Sequence, residues 1–445
     1  MRDPTSVVAE DQRVRKAKDI QAALPENGLF AQKAWRVSPE PFPLDRKTVR
    51  AIEQLGPLLL RFQRACDVIY RRSRKGTLPA WIAAYLDRGK PESLLELGLG
   101  SAVVEKTPRV IRPDLILTED GFVATELDSV PGGIGLTGWL GEVYGERDPD
   151  CELVGGSRGM IDGFASLFSD DGADIVVSEE SGDYRPEMEW LVSKLAGDWR
   201  VASAEDYQPS GRDVYRFFEL FDLPNLPGGQ AIGETAAAGE IDVTSPYKPW
   251  LEEKLWSALF WSHPLKDVWR RELREANWKR LQSIFPRSWV VDPAEVPHHA
   301  TIPGLGIQHF SEMSDFSQRE RDLVLKLSGF NERAWGSRSV TIGQDVSQSG
   351  WEAAVDEALG SFESSPYVLQ RFHGGRLVSH PWFNPETGKI EEMEGRVRLC
   401  PYYFATPSGD NVSLGGVLAT ICPSDKKVLH GMREAILVPC LLEDG

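Results

Sequence analysis

The apolar positions change their period several times along the chain. Between residues 44 and 72, Val49, Ile52, Leu55, Leu59, Phe62, Ala65 and Ile69 recur at three- and four-residue steps, the spacing of one helix face. A second helix is predicted over 79–86. The first 40 residues are charged and mixed and read as a loose arm with one helix. Near Arg109 the pattern shortens. Residues 110–117 read as a strand, Thr118-Glu119-Asp120-Gly121 as a turn, and 122–127 as the returning strand of a hairpin. The hairpin runs into Pro131-Gly132-Gly133-Ile134-Gly135 and an apolar helix holding Trp139 and Leu140.

Residues 155–222 then alternate. A helix over 160–168, a strand over 173–177, a helix over 186–195 and a strand over 213–218 suggest a small parallel α/β unit. Residues 223–245, rich in Pro, Gly and Ala, read as a loop or linker. Helices over 251–260 and 268–284 follow. A strand over 323–327 leads through a glycine-containing loop to a return strand over 339–342. Ser349-Gly350-Trp351-Glu352 has the form of a capping box and opens a helix to about residue 359. Strands over 367–372 and 396–404 complete the pattern, with Arg396 and Arg398 on one face. The whole predicts an α+β protein in three parts: a mainly helical region over 1–105, the hairpin and small α/β unit over 106–250, and a region with a glycine-containing loop over 251–445.

Composition narrows the function classes. The chain has 445 residues, 41% hydrophobic and 26% charged, enough for a buried core in two or three domains. Asp plus Glu outnumber Lys plus Arg by 67 to 50, a net charge of −17. That balance argues against a nucleic-acid partner, which binds by having its phosphates neutralised, but leaves room for a local basic pocket. The five cysteines are odd in number and never in a CxxC pair, as expected of reduced thiols. Cys66 lies on an apolar helix face and reads as packing. The start shows no apolar signal core, and no stretch approaches the ~18 apolar residues of a membrane span. The expectation is a cytoplasmic chain without a membrane partner.

Three places carry candidate chemistry. Arg112 and Asp114 are two apart on one strand, as are Glu126 and Asp128 on the other, so each pair shares a face and the carboxylates can converge. Such hard oxygen donors suit Mg²⁺ beside phosphates; a solvated acidic hairpin is the alternative. Lys326 interrupts an apolar strand just before a loop holding Gly329, Gly336 and Ser337, whose backbone N–H groups could close on phosphate. The open face of an edge strand would also accept such a lysine. The strand over 367–372, with Gln370 inside it, could line a base slot or be ordinary core. Tyr184-Arg185-Pro186-Glu187 follows the strand over 173–177, where α/β sheets place ligands; an ordinary helix-start loop is the alternative. No Ser/His/Asp order or nucleophile elbow is present.

Taken in order, these segments resemble the circularly permuted ATP-grasp proteins related to the synthetase domain of glutathionylspermidine synthase. The family has Arg-x-Asp, a gap of eleven and Glu-x-Asn, matching Arg112-x-Asp114 and Glu126-x-Asp128 here. Pro246-Tyr247-Lys248-Pro249-Trp250-Leu251-Glu252-Glu253-Lys254 is similar to its Pro-Trp-Lys…Leu-Ser-Asn-Lys. The Leu325-Lys326 strand, its loop and Tyr367-Val368-Leu369-Gln370 are similar to its Val-Lys-Pro, Gly-rich loop and Tyr-Ile-Val-Gln. The carboxylates precede the lysines, the reverse of ordinary ATP-grasp enzymes, as a permutation implies.

The resemblance covers roughly residues 110–440. It implies an ATP-grasp fold preceded by a small α/β unit and a helical region, with ATP and Mg²⁺ as cofactors and a small-molecule carboxylate and amine as partners. It assigns Asp114, Glu126 and Asp128 to Mg²⁺, and Arg112 to the transferred phosphoryl group or the acyl phosphate. Lys254 and Lys326, with Gly336 and Ser337 of the loop, would bind the phosphates. Leu369 and Gln370 would line the adenine slot, and Arg433 of Gly431-Met432-Arg433-Glu434 would reach phosphate. The implied reaction is ADP-forming amide synthesis. A non-catalytic nucleotide-binding scaffold and an ATP-dependent kinase are the alternatives. Asp128 replaces the family's Asn, the stretch between Lys254 and Lys326 is longer than in the family, and the substrate segments do not match. Glutathione and spermidine are therefore not carried over.

Overall fold

The computed structural model describes residues 4–25, 35–169, 172–334, 338–429 and 434–443. Among the described residues three sheets organise the fold. Strands β1 (Phe42–Leu44), β2 (Val110–Thr118) and β3 (Gly121–Asp128) belong to the largest. Strands β4 (Asp174–Val177), β5 (Arg200–Ser203), β6 (Val214–Phe217) and β7 (Val243–Thr244) form a parallel sheet in the order β5-β4-β6-β7. Strands β8 (Ser288–Val290), β9 (Leu323–Leu327), β10 (Val340–Ile342) and β11 (Tyr367–Arg371) form an antiparallel sheet in the order β10-β9-β11-β8. Strands β12 (Leu377–Asn384), β13 (Lys389–Ala405), β14 (Val412–Pro423) and β15 (Ile436–Leu442) return to the first sheet. Its order is β1-β15-β14-β13-β2-β3, with β12 also paired to β13.

Strand β13 is the spine of the large sheet. It is 17 residues long, and Gly395 to Ala405 pair with β14 along one edge. On the other edge its first part pairs with β12 and its second with β2. The hairpin is thus docked on a strand that follows it by most of the chain. The α+β expectation and the main strands match this architecture. Among the described residues, no helix is long and apolar enough to cross a membrane.

The N-terminal helices are integral to the packing. Helix Leu55–Arg74 buries Leu59, Phe62, Cys66 and Ile69. Phe62 stacks on Trp269 at 5.4 Å between ring centroids and meets Phe260 and Phe285 edge-on, tying this helix to the last third of the chain. The predicted helix over 44–72 is in fact two, because Arg46–Glu53 and Leu55–Arg74 meet at Gln54; Asp45 caps the first by accepting Thr48 N–H at 2.8 Å. The predicted helix over 268–284 also divides, into Lys266–Leu273 and Glu275–Gln282, around Arg274 at φ +67°.

Two further readings are corrected. Residues 227–237, read as linker, form helix Pro227–Ala237. Pro227 occupies the first helical position, where its missing N–H is harmless. The glycines are packing devices: a Cβ on Gly228 would stand 2.5 Å from Tyr207 N and 2.7 Å from Ala204 O. The helix over 348–360 is capped by Ser347, which accepts Gly350 N–H at 3.1 Å; Ser349 lies inside its first turn.

Candidate functional site

The hairpin delivers its charged residues as its spacing implied. Arg112 is registered against Asp128, and Asp114 against Glu126. A bulge follows Asp114, where Thr125 is an extra residue on β3. The Thr125 hydroxyl donates to Asp114 O at 3.2 Å, and its carbonyl turns toward Lys326.

Every carboxylate of the set has a cation. Asp114 Oδ1 lies 3.2 Å from Arg112 Nε and 3.6 Å from Cys400 Sγ, and Asp114 Oδ2 lies 2.9 Å from Arg398 Nη1. Arg112 also reaches Asp128 at 3.0 Å and the Gly132 carbonyl at 3.3 Å. Burial pushes Asp128 above the ordinary carboxylate range, and Arg112 offsets only part of that rise. Burial opposes the charge on Arg112, yet Asp114 and Asp128 more than offset it. Burial likewise raises the Cys400 thiol to about 12, so this sulfur stays protonated.

The two lysines arrive from the facing side. Lys254, just before helix Leu255–Trp261, bonds Glu126 at 2.9 Å and the carbonyl of Ala334 at 3.1 Å. Burial disfavours its charge, but Glu126 overcomes that, so its pKa rises. Lys326 on β9 donates to Gln370 Oε1 at 2.9 Å and to Thr125 O at 3.2 Å. Burial, opposed by Glu126 and reinforced by Lys254, lowers it to about 8. Gln370 is buried and also reaches Ser288 Oγ at 3.3 Å.

These groups line one cavity of about 460 Å³ between the large sheet and the β8–β11 sheet. Arg112, Asp114, Glu126, Asp128, Lys254, Lys326 and Gln370 all face it, as does Arg398. Leu369 does not. Strand alternation turns it into the core with Trp289 and Leu325. Gly336, Ser337 and Arg433 lie outside the described residues; Ala334 and Arg338, which flank the first two, line the cavity. Lys248 of the Pro246–Lys254 segment lies elsewhere, fully buried on Asp67 at 3.0 Å.

Beyond Arg112 the cavity becomes acidic and aromatic. Tyr184 and Asp183 line it, whereas Arg185 and Pro186 do not. Glu187 lies behind this wall. It accepts Gly133 N–H at 2.8 Å and Leu136 N–H at 3.0 Å, closing the start of helix Ile134–Arg147. Burial raises Glu187 to about 7 despite those bonds. Glu219 and Glu252, which the sequence pattern did not single out, also line this end, and Glu252 is paired with the buried Arg216. Burial lifts both above the ordinary range. The one signal for Glu252 was its place two residues before Lys254.

By donor chemistry Asp114, Glu126 and Asp128 fit a hard divalent cation. Among the described residues, however, no three His, Cys, Asp or Glu side chains are gathered as a ready metal shell, because these three point at arginine and lysine.

No protein-family model matches the sequence, and no curated protein matches it significantly. Among solved structures it is similar to a glutathione synthetase-like effector (GSS30) from Globodera pallida in its apo form. That alignment covers 100% of this chain and 98% of the effector, with a TM-score of 0.54 and 12% identity. A protein assigned as a gamma-glutamylcysteine synthetase from Methylobacillus flagellatus KT aligns over 86% of this chain and 85% of its own, with a TM-score of 0.33 and 10% identity. The first likeness establishes a shared overall fold.

Proposed function

We propose that the chain is an ATP- and Mg²⁺-dependent carboxylate–amine ligase on a circularly permuted ATP-grasp fold. One observation carries the reading. Lys254 and Lys326 face the Arg112–Asp128 hairpin across a single cavity, and Lys326 holds Gln370. In the free protein the lysines neutralise carboxylate and carbonyl oxygens that polyphosphate would replace.

Asp114, Glu126 and Asp128 would hold Mg²⁺, which when bound neutralises phosphate oxygens. Lys254 and Lys326 would bind the phosphates, and Gln370 would border the base. Arg112 would hold the transferred phosphoryl group, and Arg398 beside it balances charge. A substrate carboxylate oxygen attacks the γ-phosphorus, and the bond to ADP breaks. The amine lone pair then attacks the acyl carbon, phosphate leaves, and the amine proton is lost. No step needs a protein nucleophile, in keeping with a buried, protonated Cys400. The acidic, aromatic end at Tyr184 lies past Arg112 and would receive the substrates.

The test is calorimetric titration of a non-hydrolysable ATP analogue with and without Mg²⁺, followed by ADP release with acid–amine pairs. Binding should depend on Mg²⁺ and be lost in Lys326→Ala, and Glu126→Ala should abolish turnover. Unchanged ATP hydrolysis in Glu126→Ala would sink the assignment. The pairing of every hairpin carboxylate with a protein cation favours a second reading, a non-catalytic nucleotide-binding protein. Nucleotide binding without ADP release for any acceptor would select it; a phosphorylated product formed without amine would indicate a kinase.

A further inference from the structure

The turn between helices Trp81–Asp87 and Glu92–Leu99 belongs to the N-terminal helical region, yet it is wedged beneath the nucleotide lysines. Gly89 (φ +72°) lies so close to the Ser364 carbonyl that a Cβ has no room. Arg88 lies 3.8 Å from the Phe362 ring centroid and pairs with Glu363 at 3.3 Å. Lys90 turns inward, its side chain only 1% exposed, and pairs with Glu253, whose side chain is 2% exposed.

From Glu253 the contacts lead to Lys254. The Ser328 hydroxyl donates to the second oxygen of Glu253 and accepts the Leu255 amide at 2.9 Å. The Ser328 carbonyl accepts the Lys254 amide at 3.2 Å and Lys254 Nζ at 3.4 Å. The Lys90 ammonium also stands 5.4 Å from the ring centroid of Phe330, a cavity-lining residue at φ +46°. A non-glycine residue in that conformation has to be held by its surroundings. Lys90 itself does not line the cavity.

We infer that Lys90 is a positioning residue for Lys254. It holds Glu253 in place, Glu253 fixes Ser328, and Ser328 sets the backbone and ammonium of Lys254 toward Glu126. The inference rests on Lys254 being a phosphate-binding lysine. A bulky side chain at Lys90 would supply packing alone; a cation there supplies direction, because a buried carboxylate is oriented by its counter-ion.

The experiment is a double-mutant cycle read by calorimetry with a non-hydrolysable ATP analogue and Mg²⁺. Lys90→Met should weaken binding by about tenfold, within the range for residues coupled through one network. Lys90→Arg should recover most of that loss. In a Lys254→Met background, Lys90→Met should add almost nothing. Wild-type affinity in Lys90→Met, or a loss that adds in full to that of Lys254→Met, would overturn the inference. If Lys90→Met does not fold, the charge-balanced Lys90→Met/Glu253→Gln pair takes its place, and wild-type affinity there would have the same meaning.

Hydrogen exchange on the nucleotide-free proteins reads the coupling independently. The amides of Lys254 and Leu255 should exchange faster in Lys90→Met while those of helix Leu55–Arg74 keep their protection. Unchanged exchange at both amides would also refute the positioning role. A wild type that binds no nucleotide defeats the ligase reading alone, since the exchange data still decide this one.

Discussion

Lys326 is held where its charge is least comfortable. Burial and the neighbouring Lys254 bring its pKa to about 8, while its bonds to Gln370 and Thr125 keep it aimed into the cavity. Polyphosphate would favour the protonated form. Above about pH 8 the free site has lost that proton and must take it up again to bind, so affinity should fall by up to about tenfold per pH unit. Below about pH 7 it should be flat, because the lysine is already charged. Titrations of the ATP analogue at pH 7, 8 and 9 measure this; a profile flat to pH 9 would detach Lys326 from phosphate. Glu187 gives a slope of the same sign, this time in stability. Its folded pKa of about 7 exceeds the usual carboxylate value, so the folded state holds a proton that the unfolded chain releases. Its contribution is fully present at acid pH and lost as pH rises to about 7. Glu187→Gln removes that decline, and urea denaturation should show the variant gaining on the wild type by about 3 kcal/mol between pH 4.5 and 7.5. A constant difference would mean that Glu187 titrates normally.

The elements were legible where side-chain period alone decides them. Arg112, Asp114, Glu126 and Asp128 could be placed on one hairpin face because strand alternation is rigid. The Thr125 bulge could not, since the extra residue leaves the i, i+2 pattern on each strand intact and only the register reveals it. The Leu369 side chain faces the core for a related reason: adjacent strand residues face opposite sides, so Gln370 and Leu369 cannot both line one cavity with their side chains. Glu219 was invisible because strand β6 and the parallel sheet bring it to Asp128 and Lys254 from elsewhere in the sequence. Helix Pro227–Ala237 was hidden by residues normally read as helix breakers. Gly228 is there because backbone of Ala204 and Tyr207 occupies the place of a Cβ. Gly228→Ala should therefore destabilise the protein by about 1–3 kcal/mol, although alanine is the better helix former. Thermal unfolding monitored by circular dichroism tests this; an unchanged or higher midpoint would show that the strand connection moves aside.

Across the whole molecule, the N-terminal helices and the rest of the chain share one core. Helix Leu55–Arg74 supplies Phe62 to the aromatic cluster of Phe260, Trp269 and Phe285, and β1 pairs with β15. Residues 106–445 made alone should consequently lack fixed tertiary structure, binding a hydrophobic dye and losing their near-ultraviolet circular dichroism. A cooperative unfolding transition from that fragment would contradict a shared core. The placement of the β2–β3 hairpin against β13 also has a consequence during synthesis. The ribosome makes β2 roughly 270 residues before the strand that covers its inner edge. At about 5–20 residues per second, that edge waits for some tens of seconds with its N–H and C=O groups open to any passing strand. Arg112, Pro113 and Asp114 sit in the middle of it. Proline offers no donor there and the flanking charges repel apolar strands, so this tripeptide, two of whose side chains line the cavity of the folded protein, should also blunt the open edge against aggregation in the nascent chain.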